Sequence, residues 1–284
     1  MACNAPINIQ RRLADKCSLK CLLWYKYGNS SCTVKNSSDQ LVIPYDGESD
    51  VMFNSLKYNP VEVRIFKPSI HKFEGSYTDA EIVIVHTGPN GGLLVCIPVN
   101  ATTSVAASTG ASLFEDIVAN APEQEVSTTL NLTDFNLNHM IPKSSYYSYT
   151  GTVPYGTCNP EVMYNYVVFP VKSFQVHQNT LDALGNLIHD SYIQVYEGDC
   201  YFNEMGTKNN GFAGEGQIYI DCQPVGEEGE IIYKEQSAPG TKVNLDWIYA
   251  FLYVIIGAVI MYLGVKLLRF VFQLLPTLPE SNRD

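Results

Sequence analysis

The chain has 284 residues, of which 46% are hydrophobic and 12% aromatic, and its formal net charge is −11. A chain of this length and composition is expected to form one domain with a sizeable core, together with a short additional segment. The acidic balance excludes binding of nucleic acid or another polyanion through bulk charge.

A local excess of basic residues interrupts this acidic background near the N-terminus. Between residues 11 and 39 the acidic residues are Asp15 and Asp39. Two interpretations stay open, an ordinary solvated surface or a contact patch for an anionic partner. The basic residues are Arg11, Arg12, Lys16, Lys20, Lys26 and Lys35.

Short apolar runs separated by turns rich in Gly, Asn and Pro predict a mainly β fold. The content of tyrosine and phenylalanine, 19 and 12 residues, is typical of a large β-sheet protein. Helical periodicity is confined to Leu113–Asn120 and Thr180–Leu187. In chain order the predicted strands are Val61–Phe66, Glu81–Val85, Leu93–Val99, Tyr164–Val168, Tyr192–Tyr196 and Gln217–Asp221.

The stretch from His71 to Thr87 resembles a segment of the α-carbonic anhydrases. In that family the segment reads H-x-x-D-G-x-x-x-A-A-E-L-H-L-V-H-W, and the match here contains no gap. The resemblance implies a mainly β (α+β) fold with a central twisted, largely antiparallel sheet and few short helices. Further matching segments follow in the family's order at Ala5–Ile9, Thr33–Asp46, Gly92–Val95, Met140–Tyr149, Tyr166–Leu181 and Gln223–Tyr233.

The residues at the family's three zinc-ligand positions are not histidines in this chain. The third position is occupied by Val83, and the best fit places Glu62 and Arg64 at the other two. None of the five histidines precedes His71, so no shift of the alignment supplies an imidazole. A catalytic zinc needs three protein ligands and an open position for water, and a guanidinium does not coordinate a cation. The resemblance therefore implies a degenerate carbonic anhydrase domain without a metal, a cofactor or enzyme activity.

Residues that lie behind the metal in the family are retained. The family's buried histidine, glutamate and tyrosine match His71, Glu81 and Tyr149. Two interpretations stay open, a relic of the metal pocket or a core network in which each buried polar group is paired.

Eight cysteines allow 105 pairings. The resemblance to secreted members of the family implies a disulfide between Cys3 and Cys158. Cys200 and Cys222 flank residues 206–216 and form a second candidate pair. Disulfide, free-thiol and half-metal-site interpretations stay open for Cys17, Cys21 and Cys32. Glycosylation sequons occur at Asn29, Asn36, Asn100 and Asn131.

The C-terminal region predicts a membrane anchor. Trp247–Val265 contains 19 residues without a charge, and Lys266 and Arg269 follow it. The positive-inside rule then places the last residues in the cytoplasm or the virion interior and residues 1–245 on the opposite face. With no apolar signal segment at the N-terminus, a tail-anchored arrangement is expected. The predicted organisation is a domain at 1–235, a linker at 236–245, a transmembrane and juxtamembrane helix at 246–275 and a tail at 276–284.

This architecture resembles the cell-surface-binding envelope proteins of poxviruses. The leading hypothesis is a non-enzymatic, single-pass protein of a virion membrane that binds a cell-surface ligand or ties the membrane to a capsid layer. Alternatives are an accessory structural subunit of an organellar membrane complex and, less favoured, an active carbonic anhydrase. Expected partners are the membrane and either proteins of the assembly or a surface ligand. The expected contact regions are residues 11–35, 100–112 and 206–216.

Overall fold

The computed structural model describes residues 3–17, 21–89, 91–103 and 108–209, together with Met261 and Lys266. The chain separates into two compact units, residues 1–218 and 219–284. In the second unit, the described residues Met261 and Lys266 are helical and exposed. The rest of the predicted anchor at 246–275, and the predicted strand at 217–221, lie outside the described residues. Within the described part of the chain, no helix is long and apolar enough to cross a membrane.

The first unit is mostly β-structure, as predicted, with two α-helices among residues 3–209. Helix α1 spans Thr109–Ala119 and helix α2 spans Gln178–Leu187. Short 3-10 turns occur at Arg11–Leu13, Leu137–His139 and Gly206–Asn209. The strands are β1 (Asn8–Ile9), β2 (Asp15–Lys16), β3 (Leu23–Lys26), β4 (Cys32–Asn36), β5 (Gln40–Pro44), β6 (Asp50–Phe53), β7 (Leu56–Phe66), β8 (Lys72–Phe73), β9 (Ser76–Tyr77), β10 (Ala80–Gly88), β11 (Gly91–Thr102), β12 (Ser127–Leu130), β13 (Tyr146–Gly151), β14 (Tyr164–Val168), β15 (Phe174–His177) and β16 (Tyr201–Asn203).

One large mixed sheet organises this unit. It contains 13 strands, of which ten follow in the order β12-β4-β5-β7-β10-β11-β14-β13-β16-β2, while β3, β6 and β15 pair outside this path. Most neighbours are antiparallel, but β14 and β15 run parallel to β11, and β16 runs parallel to β2. Strands β1, β8 and β9 form a separate three-stranded sheet. The predicted mainly β architecture with a large sheet and few helices is confirmed.

The sheet separates two apolar clusters, because successive side chains of a strand point to opposite faces. On β10, Ile82 and Ile84 pack into the larger cluster with the two α-helices, while Val83 and Val85 pack into the smaller one. Both faces of the central strands are therefore buried, which explains why this segment reads as a continuous apolar run rather than an alternating one.

Two local predictions differ from the structure. Helix α1 begins at Thr109 rather than at Leu113, because the Ser108 hydroxyl accepts a hydrogen bond from the Ala111 N–H and caps the helix there. Residues 109–112 therefore belong to a helix and not to the predicted contact loop. The segment Tyr192–Tyr196 is not a strand; Tyr192 is 70% exposed, and Tyr196 makes an isolated bridge with Ile7.

The basic N-terminal stretch does not form one patch. Lys16 lies on β2, at one end of the strand order, whereas Lys35 lies on β4, next to the strand at the other end. Because the central strands separate these two positions, the prediction of a single basic contact surface over residues 11–35 is wrong. Arg11, Arg12 and Lys16 remain together around β2, and all three are exposed.

Candidate functional site

The three predicted ligand positions lie side by side on one face of the sheet. Glu62 and Arg64 are two residues apart on β7, so their side chains share a face. On the adjacent strand β10, Val83 is the register partner of Arg64, and Val85 is the partner of Glu62. The structure therefore brings Glu62, Arg64 and Val83 together as the sequence alignment requires.

The polar pair at these positions is held by two further side chains from different parts of the chain. Arg64 Nε donates to Glu62 Oε1 at 2.6 Å, and Nη1 donates to Gln40 Oε1 at 2.9 Å. The guanidinium carbon lies 4.2 Å from the centroid of the Tyr155 ring. The Glu62 and Arg64 side chains are 24% and 19% exposed, so the pair is largely removed from water. An arginine fixed in this way places a positive charge where the alignment expects a cation to bind, and this disfavours a metal there.

Gln40 and Tyr155 were not identified from the sequence. Gln40 begins β5, where it is the register partner of Phe66 on β7. Tyr155 lies in the segment between β13 and β14 and also contacts the Phe66 ring, at 5.9 Å between centroids. Burial raises the pKa of Tyr155, so its hydroxyl stays neutral at physiological pH. Neither residue carries a local sequence signal, because both contacts depend on the tertiary fold.

The retained residues His71, Glu81 and Tyr149 form a fully connected buried network. Glu81 accepts a hydrogen bond from the His71 backbone N–H at 3.0 Å and one from His71 Nδ1 at 2.6 Å. His71 Nε2 then accepts from the Tyr149 hydroxyl at 2.7 Å. Burial raises the pKa of Tyr149 well above its usual value. The arrangement matches the interpretation of a core network in which each polar group is paired.

The same network contains the one group of metal-ligand side chains found among the described residues. His71, Glu81 and Cys96 are buried, and their ligand atoms lie within 4.8 Å of one another. Burial and the neighbouring Glu81 raise the pKa of the Cys96 thiol, which disfavours the thiolate that a metal requires. His71 Nδ1 and Glu81 are already bonded directly to each other, so an ion would have to displace that bond. The geometry is that of a hydrogen-bonded core and does not fit a resident metal.

A second buried histidine faces the larger apolar cluster. His86 Nδ1 donates to the Leu93 carbonyl at 3.0 Å, and Nε2 accepts from the Tyr27 hydroxyl at 2.7 Å. Burial lowers the pKa of His86 to about 4 and raises that of Tyr27. Both side chains are therefore neutral at physiological pH and serve the packing of β10 against Tyr27.

The cysteines confirm one predicted pairing and add another. Cys3 and Cys158 form the disulfide implied by the family resemblance. Cys17 and Cys21 form a second disulfide, one of the alternatives that the sequence left open. Cys200 is a buried free thiol packed in the smaller apolar cluster, so the predicted bond to Cys222 is not confirmed; Cys222 lies outside the described residues. Cys32 is also a buried free thiol.

An exposed edge combines apolar and basic side chains at the β2 end of the large sheet. Strand β2 ends the strand order, and its described neighbour is β16. Leu13, Tyr201 and Met205 around this edge are 60%, 50% and 51% exposed. Arg11 packs over the Phe202 ring at 5.4 Å, and Lys16 is the register partner of Phe202. We refer to Arg11, Leu13, Lys16, Tyr201 and Met205 as the β2 edge.

Comparisons with known proteins identify the fold. No protein-family profile and no curated sequence match the chain. Among solved structures, α-carbonic anhydrase from Thermovibrio ammonificans, in complex with the inhibitor sulfanilamide, superposes with a TM-score of 0.60 at 16% identity, over 71% of this chain and 87% of that one. Photobacterium profundum α-carbonic anhydrase gives 0.59 at 14% identity, over 71% and 89%. Dioscorin complexed with ascorbate gives 0.54 at 16% identity, over 72% and 86%.

These likenesses confirm the predicted fold and correct one functional prediction. The domain has the α-carbonic anhydrase fold. The prediction that the chain is not an enzyme is contradicted, because the solved structures that it resembles include carbonic anhydrases, which are enzymes. The residues at the predicted ligand positions, Glu62, Arg64 and Val83, bear on one zinc-dependent reaction only and not on every activity that this fold supports. At 14–16% identity, the likeness establishes the fold and not the reaction.

Proposed function

We propose that this chain is a membrane-anchored recognition protein that binds a protein partner through the β2 edge of a carbonic-anhydrase-type domain. The observation that carries the proposal is the exposure of Leu13, Tyr201 and Met205 beside Arg11 and Lys16 on a terminal strand of the sheet. Large apolar side chains grouped with basic ones at an open strand edge are typical of a surface that another protein covers. The basic side chains of Arg11 and Lys16 in this edge favour acidic groups on the partner surface.

The arrangement around Arg64 supports a domain without zinc at the family's ligand positions. The Glu62–Arg64 pair fills the two positions on β7, and the apolar Val83 fills the third. Gln40 and Tyr155 hold the guanidinium in place, so the Glu62–Arg64 pair is integrated into the packing of the domain. In this proposal the large sheet forms a rigid scaffold, and the β2 edge binds the partner. Dioscorin, solved with ascorbate, is a precedent for ligand binding by this fold.

The membrane assignment rests on the uncharged stretch Trp247–Val265 followed by Lys266 and Arg269. We place the protein in a virion membrane, as an attachment protein or as a link between the membrane and a capsid layer. An anchor increases the effective concentration of many weak sites that share one membrane, so a small edge surface is sufficient for stable attachment.

The test is incorporation of variants into the native particle. Full-length protein carrying Leu13→Asp and Tyr201→Asp should be lost from the purified virion or membrane complex, whereas Val171→Asp, at a position 38% exposed and away from this edge, should be retained. Copurification with an organellar enzyme complex in place of a virion would refute the viral assignment. If the edge variants are retained and Arg64→Ala is lost, the contact is made at the Arg64 face and the edge proposal is wrong.

A further inference from the structure

The four sequons of the chain lie in very different surroundings. Each has the Asn-x-Ser/Thr pattern that accepts an N-linked glycan in a secretory compartment. The folded domain must also accommodate a bulky sugar on the amide nitrogen, which requires an exposed side chain whose nitrogen is not needed for packing. The structure separates the four asparagines on this criterion.

Asn36 cannot carry a glycan in this fold. Its side chain is fully buried, and Nδ2 donates to the Pro122 carbonyl at 3.0 Å and to the Leu187 carbonyl at 2.9 Å. Both amide protons are therefore used to join β4 to two distant segments. A sugar on this nitrogen would remove one of these bonds and would have no space.

Asn29 and Asn100 are held by hydrogen bonds at the surface. Asn29 Nδ2 donates to Asp134 Oδ1 at 3.1 Å, and its Oδ1 accepts from Asn136 Nδ2 at 2.9 Å. Asn100 is half-buried on β11, and its Oδ1 accepts from the Lys172 N–H at 3.0 Å. A sugar on Asn29 Nδ2 would disturb the bond to Asp134, and Asn100 fails the criterion because its side chain is half-buried.

Asn131 meets the criterion. It directly follows β12, which stands at the end of the strand order opposite β2. Leu130 is buried and pairs with Cys32, so the backbone before Asn131 is fixed. Asn131 and Thr133 are exposed, and within the described part of the chain the Asn131 side chain makes no hydrogen bond. A sugar at this position would extend from the edge of the sheet into solvent.

The disulfides give an independent indication of the compartment. Cys3–Cys158 and Cys17–Cys21 are both formed, and disulfides form and persist in oxidising compartments. This agrees with the anchor that the proposed function assumes, for which the positive-inside rule predicts residues 1–245 on the face opposite the C-terminal tail. The inference uses that topology and does not depend on the β2 edge.

We propose that Asn131 is N-glycosylated. In the reaction, Nδ2 loses a proton and forms a bond to the anomeric carbon of a sugar carried by a lipid-linked pyrophosphate donor. The bond from that carbon to the donor's phosphate oxygen breaks, and the lipid pyrophosphate leaves with its electron pair. A glycan here would also cover the edge of β12 that no other described strand pairs with, and would hinder pairing with another strand.

The experiment compares intact masses of the full-length protein, expressed in human cells, before and after treatment with peptide N-glycosidase. A glycan-sized mass loss is expected for the natural chain and for Thr133→Ser, which keeps the sequon. The loss should disappear in Asn131→Gln and in Thr133→Ala, which leaves the asparagine in place. Because Asn131 and Thr133 are exposed, these variants should fold, and formation of both disulfides, checked by peptide mapping, would show it.

Two results would overturn the inference. One is an unmodified natural chain in which both disulfides are nevertheless formed. The other is a glycan that persists in Asn131→Gln. Neither result bears on partner binding at the β2 edge, which the incorporation of Leu13 and Tyr201 variants measures separately.

Discussion

The Arg64 guanidinium is sandwiched between Tyr155 and the strand that carries it: its carbon lies 4.2 Å from the Tyr155 ring centroid, while its Nε bonds Glu62 two residues away. Tyr155, which is distant from Arg64 in sequence, therefore covers the ion pair. This contact helps to explain why a charged pair is tolerated in a largely buried position, since the aromatic ring interacts favourably with the guanidinium while Gln40 satisfies a further donor.

Replacement of Arg64 should destabilise the domain. Arg64→Ala leaves the Glu62 carboxylate and the Gln40 amide without their partner and removes the contact with Tyr155, for an expected loss of about 2 kcal/mol in the free energy of unfolding. The control is Lys57→Ala, whose ion pair with Asp50 is 64% and 48% exposed and should contribute less than about 0.5 kcal/mol. Urea unfolding measures both, and equal losses would show that the Arg64 pair is an ordinary surface pair.

Restoring histidine should restore zinc binding if the three positions are aligned correctly. The triple variant Glu62→His, Arg64→His and Val83→His is expected to bind about one zinc ion per chain, because three imidazoles on adjacent strands complete a zinc ligand set. The natural chain is expected to bind none at this site. Elemental analysis after dialysis gives the stoichiometry. In the matched control Val85→His replaces Val83→His; equal zinc in the two triple variants would show that Val83 is not the third position.

The buried His86 should make stability depend on pH. Its pKa is about 4 in the folded protein against an ordinary value of 6.5, so between these values the unfolded chain binds more protons. The contribution of neutral His86 to the free energy of unfolding should therefore be fully present above pH 6.5. It should decrease as the pH drops towards 4, by up to ~3 kcal/mol. His86→Asn, which keeps a donor for the Leu93 carbonyl, should flatten this slope. The exposed His139→Asn should leave it unchanged, and urea unfolding at pH 4.5 and 7.5 distinguishes the two.

The two disulfides should contribute unequally. Cys3–Cys158 closes a loop with a sequence separation of 155, and Cys17–Cys21 one of 4. The chain-entropy model gives roughly 5 kcal/mol for the long loop and roughly 2 kcal/mol for the short one. The double serine variant at Cys3 and Cys158 should thus lose more stability than the variant at Cys17 and Cys21. A reversed order in denaturant unfolding would mean that strain or residual structure outweighs loop entropy.

The sequence predicted what depends on chain order and local pattern. The apolar run around Val83 identified β10, and its match to a known family placed Glu62 and Arg64 on the neighbouring strand. The pairing of Cys3 with Cys158 came from the same resemblance. These features were accessible because each is fixed by alternation along a strand or by position within an ordered set of motifs.

The features that escaped prediction depend on contacts between distant segments. Nothing in the residues around Tyr155 indicates that it covers Arg64, and the spacing of Cys17 and Cys21 was compatible with several chemistries. The basic stretch from Arg11 to Lys35 appeared continuous in sequence, but Lys16 lies on β2, at one end of the strand order, and Lys35 lies on β4, next to the strand at the other end. Basic residues that are close in sequence are therefore far apart in the folded domain when the strands that carry them lie at different places in the sheet.

The pairing of β2 with β16 affects how the domain folds while the chain is being synthesised. Asp15 and Lys16 find their described strand partners in Tyr201 and Phe202, and the Tyr196 N–H donates to the carbonyl of Pro6. Residues 6–16 are thus synthesised well before the segment 196–203 with which they pair, and they reach their final positions late. Until residue 203 has been synthesised, Ile7 and the smaller apolar cluster stay partly uncovered, and exposed apolar surface of this kind favours aggregation during folding.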